Sequence, residues 1–139
     1  MLPAMTATES DAVSAIRRAL RVLVVDDHPD IVMTLLAVLR NAGYNAEGFA
    51  SAQAAVKEFR TFDPDVIISD IAMPFVSGWD LAKQVRRTMG EKRPVLIAIT
   101  GQYTTSADKA ASETSGFNYY LTKPCDPNVL LALLEKATQ

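Results

Sequence analysis

The sequence predicts an α/β protein in which one parallel sheet is covered by helices on both faces. Two features carry that reading. From Arg21 onward, short β-branched runs alternate with stretches of helical periodicity, the pattern of strands buried on both sides and joined by crossover helices. The connections are short and no repeat or low-complexity tract interrupts them, so five βα units in one domain account for the chain. A length of 139 residues fits one such domain, which can bury its own core without metals or disulfides.

Taken in order, four runs read as strands: RVLVV at 21–25, DVIIS at 65–69, PVLIAIT at 94–100 and YYLT at 119–122. A fifth, at 45–49, is weaker and alternates polar with apolar residues, which suits an edge strand. Between the first two strands, Ile31, Leu35, Leu36, Val38 and Leu39 recur at helical spacing, and Gly43 is placed to end that helix. Further helices are predicted at 52–60 around Ala55, Val56 and Phe59, at 78–89 around Leu81, Ala82, Val85 and Met89, and at 126–136 around Val129, Leu130, Leu133 and Leu134. The stretch 105–115 has only Ala107, Ala110 and Ala111 as apolar residues, so a weakly anchored helix is expected there. Residues 1–20 lack the basic start and apolar run of a signal peptide and are read as an extension outside the core.

Charge and composition exclude several classes. Fourteen basic and 16 acidic residues give a net charge of -2, spread in short alternating groups, so no nucleic-acid footprint is expected. No apolar run approaches the ~20 residues that span a bilayer. Cys125 is the only cysteine, which rules out an intrachain disulfide and makes a reducing cytosol the expected location.

The chemistry lies where the strands end. The first run is followed by Asp26 and Asp27, the third by Asp70, the fourth ends in Thr100 before Gly101, and the fifth leads into Lys123 and Pro124. In a parallel sheet these are all carboxyl ends, so three carboxylates, a hydroxyl and an ammonium converge on one rim. At ~4 Å and an effective dielectric near 20, each pair of carboxylates repels by about 4 kcal/mol. Lys123 supplies one positive charge, and the remainder calls for a hard, oxygen-preferring cation such as Mg²⁺. A rim of this kind suits phosphoryl transfer to one Asp as nucleophile.

At these residues the chain resembles the response-regulator receiver family of two-component signalling. VVDDHPD at the first strand, ISDIAMPFVSGWDL around the third, AITGQ at the fourth and YYLTKPCDP at the fifth carry the resemblance, which spans about 21–137. It implies a flavodoxin-like, doubly wound sheet with strand order 2-1-3-4-5 and a receiver domain over 21–139. By resemblance Asp70 is the phosphoacceptor, Asp26 and Asp27 form the acidic pocket for Mg²⁺, and the backbone carbonyl of Ala72 completes the metal shell. Thr100 is the switch hydroxyl, Lys123 its ionic partner, Tyr120 the aromatic rotamer switch, and the bond between Lys123 and Pro124 is cis. Ala72 and Gln102 stand where the family tunes the lifetime of the phosphoryl group. The implied partners are a histidine kinase or histidine phosphotransfer protein and a downstream protein target, with no nucleic acid and no membrane insertion. Such a module is not an enzyme beyond its own phosphorylation and dephosphorylation. SGFNYYLTKPCDPNVL looks most like receivers attached to hybrid sensor kinases, which makes a phosphorelay intermediate the alternative. Because Gln139 comes directly after the last helix, output is expected to pass through protein contacts.

Plainer roles are expected for the neighbours. Asp30 and Asp126 read as helix caps. His28 has no companion ligand in the sequence and is set aside as a metal ligand, because the site prefers oxygen donors. Met73, Pro74 and Gly78 shape the turn beside Asp70, Trp79 and Cys125 pack, and Tyr119 is a strand residue. A phosphatase of the haloacid dehalogenase type would need Asp-x-Asp after the first strand, where this chain has Asp26-Asp27-His28. Neither GxxxxGK[ST] nor GxGxxG is present for nucleotide binding. A pseudo-receiver would lack the acidic pocket, Asp70 or Lys123, and here all are kept.

Overall fold

The computed structural model describes residues 20–101, 110–111 and 114–138. The order along the chain is β1 (Arg21–Val25), α1 (Pro29–Asn41), β2 (Asn45–Phe49), α2 (Ala52–Phe62), β3 (Val66–Asp70), α3 (Gly78–Met89), β4 (Val95–Thr100), β5 (Tyr119–Thr122) and α4 (Pro127–Ala137). All five strands pair in parallel in the order β2-β1-β3-β4-β5. The expected edge strand is therefore an edge. Arg40 covers it from α1, donating from Nε and Nη2 to the carbonyl of Ala46 at 3.0 and 2.7 Å, which occupies an acceptor that would otherwise invite another strand.

Up to their polar carboxyl ends the inner strands are apolar, because successive side chains enter two separate cores. Leu23, Val25, Ile67, Leu96 and Ala98 pack with Ala55 and Phe59 of α2 and Leu81, Ala82 and Val85 of α3. Val22, Val24, Val66, Ile68, Ile97 and Ile99 pack on the other side with Leu35 and Leu39 of α1 and Leu130 and Leu134 of α4.

Helix starts obey local chemistry. Ser51 caps α2 by accepting from the Ala54 N–H at 3.1 Å, and Asp126 caps α4 by accepting from Asn128 at 2.8 Å. Ser77 and Asp80 form a reciprocal capping box at α3. The expectation that Asp30 caps α1 is corrected. His28 is the N-cap, without a side-chain cap bond, and Pro29 opens the helix. Asp30 sits inside the first turn, where its charge meets the positive end of the helix dipole rather than an orphan N–H. Gly43, at φ 100°, ends α1 as expected. Of the stretch 105–115, residues Ala110, Ala111, Thr114 and Ser115 are helical, with Ala110 exposed and Ser115 buried. Ala107 and Gln102, like residues 1–19, lie outside the described residues.

Candidate functional site

Asp26, Asp27, Asp70, Thr100 and Lys123 meet at the carboxyl ends of β1, β3, β4 and β5, as the strand ends predict. Asp26 and Asp70 are 2% and 4% exposed, so their charges act on one another with little help from water. Lys123 Nζ lies 2.9 Å from Asp26 Oδ2 and 3.4 Å from Asp70 Oδ2. Its backbone N–H is tied to the carbonyl of Thr100 at 2.9 Å, which fixes where the side chain starts. The Lys123–Pro124 bond is cis, as the resemblance implied.

Sequence reasoning missed the part played by His28. Asp26 Oδ1 accepts the backbone N–H of His28 at 2.9 Å, a side chain bonding the amide two residues on, and the imidazole Nδ1 lies 2.9 Å from the same oxygen. That nitrogen also stands 3.2 Å from Asp27 Oδ1. Among the described residues the buried Asp27 Oδ1 has no hydrogen-bond partner. The placing of Asp26 two residues before His28, the spacing at which an Asp side chain bonds a backbone amide, was the one local signal available. Ser69 was also missed: buried beneath the rim, it donates its hydroxyl to the carbonyl of Asp70 at 2.8 Å.

The electrostatics arise from this crowding. Burial pushes the Asp70 carboxyl above its ordinary range, the charge of Asp26 adds to that, and Lys123 opposes both. Burial alone would lower Lys123, but its hydrogen bond to Asp26 and the charge of Asp70 outweigh it and hold the ammonium above the usual value. His28 is raised first by its hydrogen bond to Asp26 and then by the charge of Asp27. Asp26, Asp27, Asp70 and His28 each offer a ligand atom, all within 4.8 Å of one another. Asp26 is already engaged by Lys123 and His28, whereas Asp27 Oδ1 is a buried oxygen without a donor among the described residues. The donor set is therefore one cation short and fits a hard divalent ion.

The loop after Asp70 is shaped by close approach. The N–H groups of Met73 and Gly78 both bond the carbonyl of Ile71, at 3.1 and 2.8 Å, which closes the loop at its base. Gly78 opens α3 directly against β3: a Cβ there would stand 2.8 Å from Ile71 Cα and closer still to the carbonyl oxygen of Asp70. Trp79 is half-buried and packs on the α2–α3 core, as expected of it. Tyr120 is half-buried against the same core and lies beside Ala98 in the register of β4 and β5. Cys125 packs against the α1–α4 core, and burial together with the charge of Asp126 raises its thiol.

A parallel sheet in this order, with acids after β1 and β3 and a lysine after β5, is the arrangement of a signalling receiver. The chain matches the response regulator receiver domain over residues 22–135 and belongs to that family, the receivers of two-component systems. It is 38% identical over 116 residues to an uncharacterised 14.6 kDa protein of Leptolyngbya boryana, covering 83% of this chain and 87% of that one. It is 33% identical over 112 residues to protein PilH of Pseudomonas aeruginosa, covering 80% and 91%. The structure of chemotaxis protein CheY4 of Vibrio cholerae superposes with a TM-score of 0.80 at 31% identity, covering 85% of this chain and 98% of that one. No helix among the described residues is long and apolar enough to cross a membrane.

Proposed function

We propose that Asp70 is the phosphoacceptor of this receiver, and that the modified rim switches a protein-binding face. The observation that carries the reading is the pairing of one lysine with two buried carboxylates while a third, Asp27, keeps an oxygen without a donor. Asp27, Asp70 and the Ala72 carbonyl would hold Mg²⁺, with Asp26 completing the acidic pocket. Bound there, the ion supplies positive charge for the oxygens of the transferring phosphoryl group.

The chain's own residues do the rest. A carboxylate oxygen of Asp70 bonds phosphorus as the bond from phosphorus to the donor's histidine nitrogen breaks, giving an acyl phosphate and returning the electron pair to the imidazole. Lys123 already reaches Asp70, and its ammonium would pair with a phosphoryl oxygen without leaving Asp26. The hydroxyl of Thr100, one strand away from Asp70, would donate to another. That movement would free space for the ring of Tyr120 and reshape the surface around β5 and α4.

The donor in this reading is a histidine kinase or histidine phosphotransfer protein in the cytosol, and the output is a contact with a downstream protein. With acetyl phosphate and Mg²⁺ the chain should gain one acid-stable, base-labile phosphoryl group by intact mass. The same gain on Asp70→Ala would defeat the assignment.

A further inference from the structure

Among the apolar residues that follow the acceptor are Met73, Phe75 and Val76 of the loop and Trp79 at the start of α3, and the structure treats one of these differently. Met73 is buried, and Val76 and Trp79 are half-buried against the α2–α3 core. Phe75, between them, is 94% exposed. Its backbone is also unusual, with φ 67°, in the left-handed region that bulky residues avoid. The Val76 N–H closes onto the Pro74 carbonyl at 2.7 Å, so Phe75 is the centre of a three-residue turn of the rarer, strained hand. Gly or Asn would sit there with less strain. The ring therefore gains nothing from the core and occupies a backbone conformation that opposes it, which is the signature of a residue kept for contact rather than for folding.

The position says what it contacts. The loop is closed at its base by the Gly78 N–H on the Ile71 carbonyl at 2.8 Å, and Ile71 comes directly after Asp70. Phe75 is thus presented by a hydrogen-bonded turn on one wall of the acceptor rim. A macromolecule that delivers a phosphoryl group to Asp70, 4% exposed, must bring its reactive nitrogen down over that rim. A small phosphodonor need not touch the wall at all. Exposed aromatics held rigidly at the centre of a contact are the residues that dominate binding energy between proteins.

We propose that Phe75 is the anchor by which this receiver recognises its protein phosphodonor, inserting into an apolar pocket beside the donor's phosphohistidine; this rests on Asp70 being the acceptor. The test compares Phe75→Asn, which removes the ring and eases the turn, with Phe75→Tyr, which keeps the ring. Donors are acetyl phosphate and the autophosphorylated kinase core that labels the wild-type chain fastest in a profile of purified histidine kinases. Phe75→Asn should slow transfer from the kinase at least tenfold, mainly through KM, keep labelling by acetyl phosphate within twofold, and melt no lower than wild type. Phe75→Tyr should stay within threefold of wild type with both donors. An unchanged kinase rate in Phe75→Asn overturns the proposal. So does a parallel loss with acetyl phosphate, which would make the turn part of the acceptor site, or the absence of any kinase that labels a wild type still labelled by acetyl phosphate. A wild-type dimer in sedimentation that Phe75→Asn dissolves would assign the ring to a second copy instead. Failure of acetyl phosphate to label wild type removes the acceptor reading itself, and the proposal with it.

Discussion

Lys123 holds its ammonium 2.9 Å from Asp26 Oδ2, and this bond rather than the 3.4 Å approach to Asp70 sets where the charge sits. The other oxygen of Asp26 accepts the backbone N–H of His28 at 2.9 Å, so both oxygens of the deepest carboxylate of the rim are engaged. Asp70 receives only the longer arm. It is the less compensated of the two buried acids, which suits a group that must remain available to react.

Asp70 is accordingly a stability liability when no metal is bound. Its carboxyl is raised in the folded state. The stability it contributes is full below about pH 3.9, its unfolded value, and is lost as pH rises through the raised folded value. Once ionised, the group opposes folding. Asp70→Asn should therefore raise the melting temperature in EDTA by roughly 3–5 °C, corresponding to about 1 kcal/mol in a domain of this size. Calorimetry at pH 7.5 checks it, and a lower melting temperature would contradict the electrostatics.

Asp27 carries the prediction about metal. Its donor-free oxygen makes it a direct ligand, and Asp27→Ala should cost at least tenfold in Mg²⁺ affinity with a matching fall in labelling by acetyl phosphate. Trp79, on the first turn of α3 close to the rim, is a usable fluorophore for the titration. Equal affinities in the two proteins would show that the ion is held elsewhere.

His28 gives the metal-free protein a pH dependence of defined sign. Its pKa is raised by Asp26 and Asp27. The stability it adds is fully present below about pH 6.5, the unfolded value, and disappears as pH climbs through the higher folded value. The melting temperature of wild type minus that of His28→Asn, measured in EDTA, should fall between pH 6 and pH 8.5. A flat difference would mean that the imidazole is not charged against the acids.

Gly78 tests the close approach of α3 to the acceptor. A methyl group at this position meets backbone atoms of Asp70 and Ile71, which cannot rotate away. Gly78→Ala should destabilise the domain by about 2 kcal/mol, the usual scale for overpacking a closed site. It should also slow labelling of Asp70, because the strand end must shift. Urea denaturation and acetyl phosphate kinetics read both effects, and a variant that matches wild type in both would remove Gly78 from the site.

The switch predicts motion at a distance. Amide shifts recorded with and without beryllofluoride should change at Tyr120, Thr114 and Ser115 as well as around Asp70. Changes confined to the immediate surroundings of Asp70 would reject the coupling through Thr100 and Tyr120 and leave the acceptor assignment standing.

Fold class, the succession of strands and the membership of the rim are all written in local pattern. Strands buried on both faces read as nearly continuous apolar runs, so VLVV, VIIS and VLIAIT announce a parallel sheet, and a residue at the end of a parallel strand lies at its carboxyl end whatever the rest of the chain does. The acids at 26, 27 and 70 and the lysine at 123 were legible for that reason, and α3 was found at 78–89 as predicted. How these groups divide among themselves was settled by packing. Local pattern sets the face and the end on which a side chain stands, but distances between residues on different strands depend on how the crossover helices pack the sheet. Hence the preference of Lys123 for Asp26 over Asp70 could not be read from spacing, nor could the ring of His28 turning back onto the acid pair. The same holds for Asp30, two residues past the cap position in α1 once Pro29 took the first helical place. Phe75 is the plainest case: its neighbours carry the same apolar signal in the sequence, and only the closed turn of the folded chain turns it outward to solvent.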